Sequence, residues 1–251
     1  MVILNGQMAS KNLDRIANEV AHGKLLASGS VEETWGWGTP AGRLRARRRA
    51  SLIMDGARLS SDSRVVEIGC GTGLFTEMFA ECGADIIAVD LSAELLAIAR
   101  ERRLPRVRFL ERNFEDCGME GPFDAVIGSS VLHHLDLKRA WGKIYRLLRP
   151  GGIMSFAEPN MLNPQVYCER HFRRFFPYTS PDETAFVRWQ LKGCLERAGF
   201  GSVSITPFDW LHPSTPEGLI PAVSFMGKAA EAIWPIREFA GSLYIRATRL
   251  A

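Results

Sequence analysis

The stretch at 64–73, RVVEIGCGTG, limits the possible folds more than any other part of the chain. Its first residues are the short apolar run of a buried strand, and the LFTEMFAEC that follows at 74–82 has the pattern of an amphipathic helix. Between them Gly69, Gly71 and Gly73 fall within five positions. Glycines there let the chain turn tightly and let a ligand approach the backbone without meeting a Cβ. The helix behind the bend presents unpaired backbone N–H groups to that ligand. The spacing is GxGxG, and Leu74 stands where the dinucleotide fingerprint GxGxxG would place its third small residue. That argues against NAD or FAD.

The alternation continues. Strands are expected at 86–90, 107–112, 123–130 and 152–159. Ser92 is placed to cap a helix with Glu94 in its first turn, and the helix at 137–148 should stop at Pro150-Gly151-Gly152. Five strand-helix alternations with buried-type strands predict a doubly wound, mostly parallel α/β sheet. Ligands on such sheets sit at the carboxyl ends of the strands. Beyond 159 the alternation stops, and 159–182 mixes aromatics, arginines and prolines in the manner of a lid or binding insertion. A helix at 183–198, a strand at 202–208, a helix near 217–232 and a strand at 242–249 complete the expectation. Residues 1–60 read as a helical cover broken at 35–42, with 61–251 as the α/β domain. The helix expected at 43–58 opens with RLRARRR and takes Leu44, Leu52 and Ile53 as its apolar stripe.

Three strand ends carry candidate chemistry. Asp90 can accept hydrogen bonds from both hydroxyls of a ribose, or it can cap a helix. Asn113 and Phe114 can meet a base edge and its face, or form an ordinary loop beside the core. Ser129-Ser130-Val131-Leu132-His133-His134 puts two imidazoles at the mouth of the sheet, where one can serve as a general base and the other pack.

These features, in this order, resemble the class I S-adenosylmethionine-dependent methyltransferases. VVEIGCGTGLFT, IIAVDLSAELLAIAR, FDAVIGSSVLHHLD and RLLRPGGIMSFAEP carry the resemblance across roughly 64–160. The branch they are most similar to includes ubiquinone and menaquinone methyltransferases. The resemblance implies a Rossmann-like seven-stranded sheet with helices on both faces and the last strand antiparallel, inserted between the fifth and sixth. It implies S-adenosyl-L-methionine as cofactor. Gly69, Cys70, Gly71 and Gly73 would line its methionine portion, with Glu67 organising the bend from beneath. Asp90 would hold the ribose and Leu91 would pack on the adenine. Asn113 stands where many relatives carry aspartate, beside Phe114, and Ser129 would lie near the cofactor. The N-terminal helices would close over it through Trp35, Trp37, Thr39 and Arg43, with Arg43 meeting the cofactor carboxylate.

Methyl transfer from a sulfonium is an in-line displacement in which alignment alone can supply about 7–11 kcal/mol. A general base adds roughly 10²–10⁴-fold. His133 is the first candidate base, followed by His134 and Glu158. The strand ends lack the carboxylate cluster of metal-assisted methylation, so no metal is expected. Tyr167, His171, Phe172, Phe175, Phe176 and Tyr178 are the expected aromatic wall for a small-molecule methyl acceptor bound through an O or N atom.

Two other functions compete. RLRARRR and HFRRFF could track the phosphates of a nucleic acid, although a net charge of +3 is low for such a binder. Neither the adenine-methylating signature after the fourth strand nor a cytosine-directed cysteine nucleophile is evident. Protein methylation, or a cofactor-binding module without turnover, is the second. Five scattered cysteines without a CxxC pair suggest neither zinc nor disulfides and fit a reducing cytoplasm. The first residues lack the pattern of a signal peptide, and no run approaches the ~18 apolar residues of a membrane span.

Overall fold

The computed structural model describes residues 2–27, 29–175 and 184–251, with the side chains of all of these except 2–13, 26 and 173. Three helices lead the chain: α1 (Val2–Ala27), α2 (Val31–Thr34) and α3 (Pro40–Ala57). Then come β1 (Arg64–Ile68), α4 (Leu74–Ala80), β2 (Asp85–Asp90), α5 (Ala93–Glu101), β3 (Val107–Glu111) and β4 (Phe123–Ser129). After α6 (Leu137–Leu147) and β5 (Leu148–Pro159) the chain forms α7 (Pro164–His171), α8 (Arg188–Arg197), β6 (Phe200–Phe208), α9 (Ile220–Ala232) and β7 (Ser242–Arg249).

The described strands form one seven-stranded sheet in the order β3-β2-β1-β4-β5-β7-β6. β1 to β5 are parallel, and β7 runs antiparallel to both β5 and β6. The expected inserted last strand is therefore present. Chain order reverses direction between β1 and β4, so their carboxyl ends part and leave a crevice.

Successive side chains along each strand enter opposite cores. Val66, Ile68, Val126 and Met154 pack with Trp141 and Ile144 of α6 and with Leu191 and Leu195 of α8. Val65, Ala125, Ile127 and Ala157 face the other way, toward Ile53 of α3, Phe79 of α4 and Leu96 of α5. The sheet is thus covered on both faces, and its strands read as unbroken apolar runs for that reason.

The apolar stripe of α3 differs from expectation. Leu44 is 46% exposed, while Ala41, Ala46, Ala50, Ile53 and Ala57 are buried. Small residues win because α3 lies close on the sheet: a Cβ on Gly56 would fall 1.4 Å from the Tyr244 hydroxyl. Ser155 Oγ donates to the Ile53 carbonyl at 2.9 Å across the same contact. The helix expected at 183–198 begins later, at Arg188, because Phe186 bridges to Asn160 in extended form. The stop expected at 150–152 comes earlier, since α6 ends at Leu147 and β5 already begins at Leu148.

α1 is held by polar contacts. Arg15 donates both ways to Glu115, at 2.7 and 2.8 Å, and also to the His134 carbonyl. Glu115 in turn accepts the Asp136 N–H at 2.7 Å.

Ile53 is fully buried at the α3–sheet contact. Ile53→Ala should lower unfolding free energy by about 2–5 kcal/mol in urea titrations, through lost burial and an unfilled cavity.

Candidate active site

The crevice at the parted strand ends opens into a cavity of about 680 Å³. Its floor is the glycine bend and the ends of β2, β3 and β4; its cover comes from α1, the loop at 35–39 and α3.

At the bend the backbone leaves the sheet ladder without leaving its partners. The Gly69 N–H donates to the Val89 carbonyl at 2.7 Å, and the Gly71 N–H donates to Asp90 Oδ2 at 2.8 Å. Asp90 Oδ1 accepts the Ser92 N–H at 2.9 Å, so one carboxylate ties the bend to the start of α5. Gly69 and Gly71 have φ of 67° and 52°, and a Cβ on Gly69 would lie 2.3 Å from Val131 Cγ2. Gly69, Cys70, Gly71, Asp90, Leu91, Asn113, Phe114 and Ser129 all border the cavity. Gly73 does not: its missing Cβ makes room for Ala99 and Arg102, so it serves helix packing. Glu67 lies beneath the bend, buried, and that burial pushes its carboxyl up to about 8 against the opposing effect of the Thr76 hydroxyl. Burial also raises Asp90, partly offset by the Ser92 and Gly71 N–H groups. The Asn113 side chain is occupied locally: its oxygen accepts the Glu115 N–H at 3.0 Å and its amide donates to Asp116 at 2.6 Å.

The two histidines differ. His133 is buried at the cavity wall, with Nδ1 2.6 Å from Glu158 Oε2. Glu158 Oε1 accepts the Val131 and Leu132 N–H groups, both at 2.9 Å. Burial alone would raise Glu158, yet the His133 bond and charge and these two amides bring it below its ordinary value. Glu158 is 0% exposed and lies behind His133, outside the cavity lining. Its carboxylate is bonded to His133 and has no access to the cavity, which corrects the expectation that it is a candidate base. His134 Nδ1 sits 2.9 Å from Glu19 Oε2 of α1, so it joins the cover to the floor.

Trp35 lies over the bend, its ring 3.4 Å from where a Gly71 Cβ would be. Trp37 meets Phe75 edge to face at 5.4 Å, and its ring lies 5.3 and 5.5 Å from the Arg45 and Arg49 guanidinium carbons. Thr39 caps α3 and donates to the Pro213 carbonyl at 2.7 Å. Arg43, expected at the cofactor carboxylate, is exposed, outside the cavity, and donates to the Gly38 carbonyl. Helical geometry explains the correction: at 100° per residue Arg45 and Arg49 share a face, and Arg43 points the opposite way. Arg49 is 3% exposed and lines the cavity. It donates to Ser130 Oγ at 3.0 Å, to the Ala157 carbonyl at 3.1 Å and to Ser242 Oγ at 2.5 Å, and its Nε has no partner among the described residues. Burial lowers it to about 10, opposed by the nearby Asp209 carboxylate, so it stays charged at neutral pH. Asp209 itself is engaged by Arg45 at 2.8 Å.

Among the described residues the expected aromatic wall does not line the cavity. Tyr167 and His171 stack on each other at 3.9 Å on the outer side of α7, and Phe172 and Phe175 are also exposed. Phe176 and Tyr178 lie outside the described residues. The opposite side of α7 lines the cavity through Gln165, Val166, Glu169 and Arg170. Periodicity in such a short helix could not reveal which side turns inward. Sequence reasoning also missed the wall at 209–214, including Trp210 and His212, and the docking pairs of Arg15 and Arg102. Arg102 donates to the Thr72 carbonyl at 2.7 Å and pairs with Glu32 of α2 at 2.5 Å, joining the bend to the cover. Among the described residues no three His, Cys, Asp or Glu side chains are grouped to hold a metal ion. The RLRARRR run is divided: Arg49 is buried and Arg45 and Arg48 pair with Asp209 and Glu231, while Arg43 and Arg47 are exposed.

Residues 65–152 match a methyltransferase domain family. The chain is 38% identical over 99 residues to the malonyl-[acyl-carrier protein] O-methyltransferase of Pectobacterium atrosepticum, covering 39% of each chain. It is 36% identical over 133 residues to the ubiquinone biosynthesis O-methyltransferase of Xanthomonas oryzae pv. oryzae, covering 50% of this chain and 56% of that protein. The matched stretches thus span about half or less of these relatives. The fold matches phosphoethanolamine N-methyltransferase 2 of Haemonchus contortus, solved with S-adenosyl-L-methionine. The TM-score is 0.65 at 17% identity over 90% of this chain and 57% of that one. Residues 65–152 are thus similar to a methyltransferase domain family, and the wider chain shares the fold of a methyltransferase of known structure.

A raised carboxyl has a pH signature. Glu67 sits above its ordinary value of 4.5, so its proton stabilises the fold fully below that value. The contribution is lost as pH rises toward about 8. Glu67→Gln should flatten the fall in urea midpoint across this window, and a variant as steep as the parent would contradict the buried protonated state.

Proposed function

We propose that the chain transfers a methyl group from S-adenosyl-L-methionine to a hydroxyl oxygen of a small molecule without a metal ion. The observation that carries this reading is one cavity bordered by both the Asp90-tethered glycine bend and a histidine backed by a buried carboxylate.

The residues present fit the cofactor. The bend leaves no room for a Cβ at Gly69, the Asp90 carboxylate keeps lone pairs for a ribose, and Leu91 and Phe114 offer apolar surface for a base. Arg49 takes the role expected of Arg43, because it is a buried cation at the cavity with an unpartnered Nε and only neutral hydrogen-bond acceptors. A carboxylate there would complete its hydrogen bonding and balance its charge. When bound, the sulfonium supplies a methyl group that is already electrophilic.

The chain's own groups do the rest. Trp35, Trp37 and the 209–214 wall cover the cavity, which limits water at the reacting atoms. With Nδ1 donating to Glu158, His133 carries its lone pair on Nε2. That nitrogen would take the proton of the acceptor hydroxyl, while the bound sulfonium would supply the methyl group and leave as a neutral thioether. Glu158 then stabilises the imidazolium without becoming protonated. The malonyl-carrier and ubiquinone-pathway relatives, both named O-methyltransferases, support an oxygen acceptor. Five cysteines without a disulfide among them support a reducing compartment.

Labelled-methyl transfer from S-adenosyl-L-methionine to small hydroxylated acids and phenols, with RNA and protein as alternative acceptors, tests the reading. Product on the small molecules is expected; label confined to RNA or protein would refute it. Asp90→Asn should weaken cofactor binding roughly 10–100-fold by calorimetry, since hydrogen bonds to a charged acceptor are lost. His133→Gln should lower kcat by roughly 10²–10⁴-fold while cofactor affinity stays unchanged.

A further inference from the structure

The outer side of α9 is apolar where water would favour polar residues. Its inner side packs inward through Ile220 and Gly227, and a Cβ on Gly227 would lie 2.9 Å from Trp210 Cβ. The side turned outward carries Pro221, Ala222, Phe225, Met226 and Ala229 at helical spacing, all exposed. Phe225 is 76% exposed, and the chain leaving the helix adds Trp234 at 71%. A helix apolar on both sides is expected to be covered on both.

The charges beside this face identify the cover. Arg43 and Arg47 of α3 line one shallow groove with Ile220 and Pro221 at the start of α9, and Lys228 is exposed on the helix itself. None of the three forms an ion pair among the described residues; the acid beside the groove is Glu217. Aromatic side chains that project from an exposed apolar face, with basic residues around them, are the chemistry of an interfacial anchor. A two-fold contact through the same face would crowd these cations against their own copies, whereas anionic headgroups would pair with them. No described helix is long and apolar enough to cross a bilayer, so the contact is one of lying on the surface.

We propose that α9 and residues 233–239 dock the protein onto an anionic lipid surface, with Phe225 and Trp234 entering the interface and Arg43, Arg47 and Lys228 meeting the headgroups. This surface is independent of the acceptor assigned above. It also lies directly behind the cavity wall at Trp210, which suits an acceptor that partitions into lipid.

The test is co-sedimentation of the full chain with phosphatidylcholine vesicles, with and without phosphatidylglycerol, alongside light scattering to read oligomeric state. The parent should pellet with the phosphatidylglycerol vesicles, less so as salt rises. A Phe225→Ser, Trp234→Ser double variant should bind them about a hundredfold more weakly. A separate Arg47→Glu, Lys228→Glu variant should weaken binding roughly tenfold or more. It keeps the test open if the first variant folds poorly. Both should retain parental cofactor affinity by calorimetry, because neither alters the cavity. Absence of parental binding to anionic vesicles would overturn the proposal, as would binding indifferent to both variants. A parental dimer that the apolar variant dissociates, without vesicle binding, would assign the face to a second copy.

Discussion

A single buried guanidinium joins the helical cover to the sheet. Arg49 projects from α3 and donates to groups at the ends of β4, β5 and at the start of β7. These partners are hydroxyls and a carbonyl, so its charge is solvated by dipoles and not cancelled. The nearby carboxylates are committed elsewhere: Asp209 to Arg45, Glu158 to His133 and two backbone amides. The fold therefore holds a positive charge at the inner wall of the cavity. In the proposed function, that charge receives the carboxylate of the cofactor.

Two carboxylates at strand ends do comparable work in different places. Asp90 gathers the Gly71 and Ser92 N–H groups, which have no ladder partner once β1 and β2 have ended. Glu158 gathers the Val131 and Leu132 N–H groups beyond β4 and adds the His133 ring. Each satisfies backbone donors that burial would otherwise leave unpaired. Asp90 remains at the cavity, so it can also serve a ligand. Glu158 is sealed behind the imidazole and can act only through it.

The outer shell ties these parts together. Arg15 anchors α1 on Glu115, Arg102 links the bend to α2, and Thr39 fastens the 35–39 loop to Pro213. Pro213 belongs to the 209–214 wall, against which α9 packs at Trp210. A surface proposed to meet lipid and a cavity proposed to hold an acceptor thus share one layer of protein.

The sequence by itself determined the sheet, its cofactor edge and the order of its parts. Strand runs, the GxGxG bend, Asp90 and the 129–134 segment are local signals, because each strand end must place its own residues at the crevice. Only the tertiary structure decided which arginine of RLRARRR turns inward, since α3 packs through alanines and Ile53 where Leu44 was the more apolar choice. It likewise turned Gln165 and Arg170 toward the cavity and Tyr167 outward, and brought 209–214 to a wall more than 100 residues from the bend. Those outcomes rest on contacts between distant segments, where close packing outweighs the local preference of any single helix.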